Sequence, residues 1–215
     1  MDVENEQHPP ARPRTGAAER IIEAAKLLFA REGYASVSIR DIAEAAEVCK
    51  ANVFHHFASK EALYLEVLRR CCHSTRTLLD DLEGSDGGPL AQRLSHFVRT
   101  YLLRSREDLD GSLLVLTEAF DTTPCRARAL VDEVFGSDFQ RLTNIFTEGQ
   151  QSGEWRRDLD PALMASLIVA ANSFFISYRE ILRQLPGVDF ADDPERYAAM
   201  VVEALLHGIH DGHRP

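Results

Sequence analysis

The chain's most suggestive chemistry lies between Lys50 and His56, where Lys50, Asn52, Phe54, His55 and His56 crowd into seven residues. Such a mixture of donors and flat rings suits base edges and phosphates better than bond-making. Cys49 stands just before it, where a helix N-terminus would lower a thiol's pKa and could make it an oxidisable switch. The plainer reading, a small residue tolerated as a helix cap, is the one adopted. Cys71, Cys72 and His73 are contiguous, and His207, His210 and His213 gather near the other end. Adjacent cysteines on a helix point about 100° apart, no Cys-x-x-Cys spacing exists, and no metal is expected. Glu118 with His96 is an acid–base pair of a kind easily found in such a composition. No phosphate-binding loop, Gly-x-Ser-x-Gly or His-Glu-x-x-His motif occurs. Neither catalysis nor a cofactor is expected.

The bulk properties bound these options. With 45% hydrophobic residues in 215, the chain can build a core without disulfides. Its four cysteines are too few and irregular for a disulfide scaffold. No uninterrupted run of about 18 apolar residues occurs, and Asp2, Glu4 and Glu6 do not read as a secretory signal; the cytoplasm is the expected compartment. The net charge of −10 argues against nucleic acid, but its distribution does not. Residues 11–60 hold eight Lys/Arg against six Asp/Glu, whereas residues 71–215 hold 14 against 23. All three lysines, Lys26, Lys50 and Lys60, lie in the first 60 residues. A small DNA-facing unit on an acidic body fits that imbalance.

The elements that would position these residues read as an all-α chain. Residues 1–14, with three prolines and few apolar side chains, are expected to be a disordered arm. Thr15 should cap a helix that carries Ile21, Ala25, Leu28 and Phe29 on one face and stops at Gly33. Helices over 38–45 and 49–56 follow, then one from Ser59 to about 81. Gly84-Ser85-Asp86-Gly87-Gly88 breaks the chain, and Pro89 should open the next helix. Further helices are expected at 89–106, 109–121, 124–151, 161–184 and 194–210. The last three begin at Thr123-Pro124, Asp160-Pro161 and Asp193-Pro194, a polar cap followed by proline in the first turn. About nine helices and no sheet result. The domains would be 15–60 for DNA binding and 61–211 for ligand binding and dimerisation, with a tail over 212–215.

Within 38–57, Ser38 and Asp41 have the spacing of a capping box. Ile39, Ile42 and Ala43 present an apolar face, Val48 plugs the turn, and Val53 and Phe57 point back to a three-helix core. A recognition helix reads the major groove with its N-terminal residues, here Lys50, Ala51 and Asn52. The stretch Ile39–Ala46 (IRDIAEAA), the run Lys50–Phe57 (KANVFHHF) and the Ser59–Leu63 opening of helix four (SKEAL) resemble the DNA-binding domain of the TetR family of bacterial regulators. The likeness covers about 50 residues closely, and the family's two-part plan extends over the whole chain. The resemblance implies that Phe54 and His56 contact phosphates, Lys50 and Asn52 sit in or beside the groove, and Lys60 clamps the backbone. Arg40, Ala51 and His55 complete the expected DNA face. Two residues depart from the family pattern. Glu47 replaces the usual Gly of the turn, where a left-handed backbone would cost a non-Gly residue roughly 1–2 kcal/mol. Cys49 replaces the usual Ser cap, at a cost of about 1 kcal/mol.

In the larger domain, Phe97, Tyr101, Phe120, Phe139, Phe175 and Tyr178 are candidates to line a ligand pocket, although aromatics as often fill a core. Arg128 or Arg179 could meet an anionic group if they point inward. Leu163, Leu167, Ala170, Phe174 and Ile181 form one stripe, and Tyr197, Val201, Ala204, Leu205 and Gly208 another. Paired across a two-fold axis, these two helices would make a four-helix dimer interface. The leading expectation is a homodimeric repressor on a palindromic operator, released by a small molecule. The alternatives are a DNA-anchored protein whose acidic helical body recruits a protein partner, and a helical enzyme that has captured a DNA-binding head.

Overall fold

The structure, a computed structural model, describes residues 16–84, 88–120 and 123–207, and every regular element among them is helical. The chain divides into two compact units, Met1–Leu63 and Tyr64–Pro215. The expected cap Thr15, the arm over 1–14 and the tail lie outside the described residues.

In the first unit, α1 (Ala17–Glu32), α2 (Ile39–Ala45) and α3 (Lys50–His56) surround a small core. Ile21, Ala25 and Phe29 recur every four residues on α1 and are fully or nearly fully buried. They meet Ile42 and Ala43 of α2 and Val53 of α3 in the same apolar interior. Gly33 ends α1 at φ 78°, ψ 157°, a backbone region in which essentially only glycine is at ease. The capping box of α2 forms as its spacing suggested. Asp41 N–H donates to Ser38 Oγ at 3.3 Å, and Ser38 N–H donates to Asp41 Oδ2 at 2.8 Å. These bonds to Ser38 hold the Asp41 carboxyl below the usual carboxylate range. Arg20 Nε then ties α1 to the end of α2 by donating to the Ala46 carbonyl at 3.3 Å.

Helix α4 (Lys60–Cys71) begins in the first unit and continues into the second. The second unit goes on with α5 (His73–Gly84), α6 (Leu90–Glu107), α7 (Leu109–Phe120), α8 (Pro124–Leu130), α9 (Gly136–Ser152), α10 (Pro161–Leu182) and α11 (Pro194–His207). Helix α6 is central, with Leu94, Phe97, Val98 and Leu102 buried against α5, α10 and α11. The polar caps expected before three prolines are present. Thr123 Oγ1 accepts from Arg126 N–H at 3.5 Å, Asp160 Oδ1 from Leu163 N–H at 2.9 Å, and Asp193 Oδ1 from Arg196 N–H at 2.9 Å.

Several elements differ from the sequence expectation. The helix expected over 59–81 is two helices, because the ladder breaks at Cys72, whose carbonyl becomes the first acceptor of α5 at 3.1 Å from Thr75 N. The helix expected over 124–151 contains a π-helical turn, Val131–Phe135, between α8 and α9. There Gly136 N–H donates to the Val131 carbonyl, and a Cβ at Gly136 would lie 2.5 Å from that oxygen. The widened turn therefore closes only over glycine. Pro89 caps α6 rather than forming its first residue. Helix α10, 22 residues with mean hydropathy 1.5 over its most apolar window, is by length and composition able to cross a membrane. Its buried residues Met164, Ala165, Ile168, Phe175 and Leu182 belong to the core of the second unit.

Candidate nucleic-acid interface and effector cavity

The outer face of α3 follows from what its inner face must do. Val53 is fully buried and Phe57 half-buried, so the 3.6-residue period turns Lys50, Ala51, Phe54 and His55 outward, all of them exposed. His56 is exposed as well, and Asn52 is half-buried. Lys50 Nζ lies 5.7 Å from the Phe54 ring, and the His55 and His56 rings meet edge-on at 5.1 Å. Arg40 of α2 is exposed on the same unit. The turn that aims this helix is closed by Val48 N–H donating to the Ala43 carbonyl at 2.9 Å. Glu47, within it, has φ 53° and is the one non-glycine residue with positive φ among those described. The left-handed position expected from the sequence is thus occupied by glutamate. Cys49 is the N-cap of α3 and makes no side-chain capping bond. Lys60, the expected phosphate clamp, is half-buried at the start of α4. Its ammonium donates to the Tyr34 carbonyl and lies 4.2 Å from the Tyr34 ring centre.

The second unit holds an apolar cavity of about 310 Å³. Its walls come from α5 (Leu79), α6 (Phe97, Tyr101), α7 (Val115, Leu116, Ala119), α9 (Phe139, Leu142) and α10 (Ile168, Asn172). Phe135 reaches it from the π-helical turn, and Cys72 from the break between α4 and α5. Burial pushes the Cys72 thiol and the Tyr101 phenol up to about 12, so both are neutral at physiological pH. Among the described residues Asp138 is the one charged side chain of the lining, and Arg76 Nε pairs with it at 3.2 Å. Asn172 is 3% exposed, and its Oδ1 has no hydrogen-bond partner.

Beside the cavity, α7 carries a buried polar cluster. Tyr64 of α4 donates its hydroxyl proton to Glu118 Oε2 at 2.7 Å. Arg126 of α8 pairs with the other Glu118 oxygen and lies 4.8 Å from the Tyr64 ring centre. Burial and the Glu118 carboxylate push the Tyr64 phenol well above its ordinary pKa. His96 is exposed and 3.4 Å from Thr100 Oγ1, so the acid–base pair considered from the sequence does not form.

Two family models match the chain. The model described as bacterial regulatory proteins, tetR family, covers residues 21–67, and the Tetracyclin repressor-like C-terminal domain covers residues 91–205. The chain belongs to the TetR family. It is 29% identical over 197 residues to the transcriptional repressor DhaR of Mycobacterium sp. (strain GP1), covering 90% of this chain and 94% of that protein. Two solved structures share the fold. The regulator FadR from Bacillus subtilis, in complex with stearoyl-CoA, has a TM-score of 0.74 and 21% identity, covering 89% of this chain and 99% of that one. AibR, in complex with isovaleryl coenzyme A and operator DNA, has a TM-score of 0.67 and 22% identity, covering 89% and 98%.

Against this TetR-family frame the expected pocket and interface residues divide clearly. Phe97, Tyr101 and Phe139 line the cavity. Phe175 does not; it is buried against Tyr197, with ring centres 4.3 Å apart. Tyr178 stacks on Phe174 at 5.0 Å on an exposed face, and the Phe120 side chain lies outside the described residues. Arg128 is exposed and pairs with Asp132, while Arg179 pairs with Asp192, so neither lines the cavity. The stripe Leu163, Leu167, Ala170, Phe174 and Ile181 of α10 is exposed throughout. The second stripe needs correcting. Tyr197 is buried, its hydroxyl donating to the Ala171 carbonyl at 2.7 Å, and Val201 and Leu205 pack on the core. The exposed positions of α11 include Ala199, Met200 and Ala204, whereas Gly208 lies outside the described residues. Among the described residues no group of three His, Cys, Asp or Glu is placed to hold a metal. His210 and His213 are not among them. The lining residues that sequence reasoning missed include Leu116 and Asn172, which carry no motif.

Proposed function

We propose that this protein is a homodimeric repressor whose α3 reads a palindromic operator and which a small apolar effector in the second unit's cavity releases. The observation that carries the reading is the pairing of two features in one TetR-family chain. One is an exposed donor-and-ring face on α3; the other is a walled apolar cavity holding an unsatisfied buried amide. The complexes of FadR with stearoyl-CoA and of AibR with isovaleryl coenzyme A and operator DNA supply the analogy. The exposed α10 stripe with Ala199, Met200 and Ala204 of α11 is the dimer surface. Because its DNA target is intracellular, the protein acts in the cytoplasm. No chemical step is assigned to it, since the buried carboxylate Glu118 is engaged by Tyr64 and Arg126.

The same α7 that walls the cavity with Val115, Leu116 and Ala119 grips α4 through Glu118. An effector that shifts α7 therefore pulls on Tyr64, near the start of the helix shared by both units. This is a differential contact of the kind allostery requires. The test uses a DNA duplex that the protein selects from a random library. Operator affinity is measured with and without a calorimetrically verified cavity ligand, in wild type and Tyr64→Phe. The ligand should weaken wild-type binding markedly and the variant's less. A ligand that fills the cavity yet leaves operator affinity unchanged would overturn the repressor reading.

A further inference from the structure

The cavity lining restricts what can occupy it. A dry engineered cavity of roughly 150 Å³ holds one benzene, so one of about 310 Å³ admits roughly a dozen heavy atoms. Among the described residues its lining contains one charge, the Asp138 carboxylate. Arg76 already serves Asp138 and the Val134 carbonyl, both at 3.2 Å. An anionic ligand would face that carboxylate with no cation of its own in the lining, in a site of low dielectric where this counts heavily. The neutral Cys72 and Tyr101 offer no charge either. The remaining demand is Asn172, 97% buried, whose Oδ1 lacks a donor. Leaving such an amide unmet is costly, and a ligand that meets it gains what the protein alone does not. A hydroxyl both donates and accepts, so it serves the carboxamide from either end.

We infer that the cavity takes an uncharged, largely apolar molecule of about a dozen heavy atoms bearing one hydroxyl, an alcohol or phenol, with Asn172 selecting that hydroxyl. This rests on the reading of the cavity as the effector site and names the effector's chemical class. An acyl-CoA differs from this class, because its polyphosphate would find no cation among the described residues that line this cavity.

Four probes test it by calorimetry on the full chain: 2-naphthol, naphthalene, 2-naphthoate and octanoyl-CoA. 2-Naphthol should bind about tenfold more tightly than naphthalene, and 2-naphthoate and octanoyl-CoA more weakly than either. Asn172→Leu, close in volume and apolar, should abolish the preference for 2-naphthol over naphthalene while keeping naphthalene binding. Asn172→Ala provides a second variant with the same expected loss of preference, and retained naphthalene binding shows that each variant is folded. Tighter binding of 2-naphthoate or octanoyl-CoA than of 2-naphthol overturns the inference, as does an unchanged preference in both variants or no binding of either neutral probe. Operator affinity is measured in parallel on library-selected DNA. Selective 2-naphthol binding without any change in operator affinity would leave the ligand class standing and refute the repressor reading instead.

Discussion

Replacing Glu47 with glycine should stabilise the DNA-binding unit, and the size of the effect follows from one dihedral angle. Glu47 holds φ 53° with its side chain exposed, in the turn between α2 and α3. A Cβ in the left-handed region costs about 1–2 kcal/mol. Glycine removes that cost but returns about 0.4–1 kcal/mol of unfolded-chain entropy. The net gain for Glu47→Gly is about 0–1.6 kcal/mol, about 0.8 kcal/mol at the midpoints of the two ranges. Glu47→Ala isolates the cause, because it removes the carboxylate but keeps the Cβ, and it should change stability little. Urea unfolding followed by circular dichroism gives the comparison, with a higher midpoint and an unchanged slope expected for glycine alone. Equal shifts for glycine and alanine would refute the argument from strain and point to the charge instead. A lowered midpoint for glycine would show that unfolded-state entropy outweighs the strain.

Three other outcomes are expected. Cys49→Ser supplies the capping oxygen that α3 lacks and should add up to about 1 kcal/mol; mild peroxide should affect operator binding of both proteins alike, and selective release of wild type would establish a redox switch. Lys50→Ala should weaken DNA binding and lower the salt slope by about one, whereas Lys60→Ala should leave the slope unchanged and cost roughly 1 kcal/mol of stability through its lost contacts to Tyr34; equal slope changes in the two variants would restore Lys60 as a phosphate clamp. Phe174→Glu, at a position half exposed on α10, should yield monomers by analytical ultracentrifugation and lose operator binding, and an unchanged dimer would move the interface elsewhere.

The outward face of α3 was readable because short-range rules govern it. Ser38 and Asp41 cap at a fixed spacing, Val53 and Phe57 fix the rotation of α3, and Glu47 occupies a turn position whose geometry the family pattern marks. The cavity was less readable because it depends on which helices meet. Phe97 and Phe175 look alike in sequence, yet one faces the cavity and the other Tyr197. Tyr197 fits an apolar stripe as well as Ala204 does, but helical period identifies a face without saying what covers it. The break at Cys72 had no glycine or proline to announce it. Gly136 stands inside the stretch read as one continuous helix, and its close approach to the Val131 carbonyl depends on the folded backbone, not on any sequence pattern.

Whether α3 of a dimer reads a specific operator is decided by selecting duplex DNA from a random library with the full chain and measuring the stoichiometry and affinity of the recovered site. An inverted repeat is expected, with half-sites about one helical turn apart, or a multiple of that, bound by two chains. Asn52→Ala should relax the sequence preference, and Lys50→Ala should weaken binding. Recovery of no common sequence, or affinities unmoved by both substitutions, would contradict operator reading by α3.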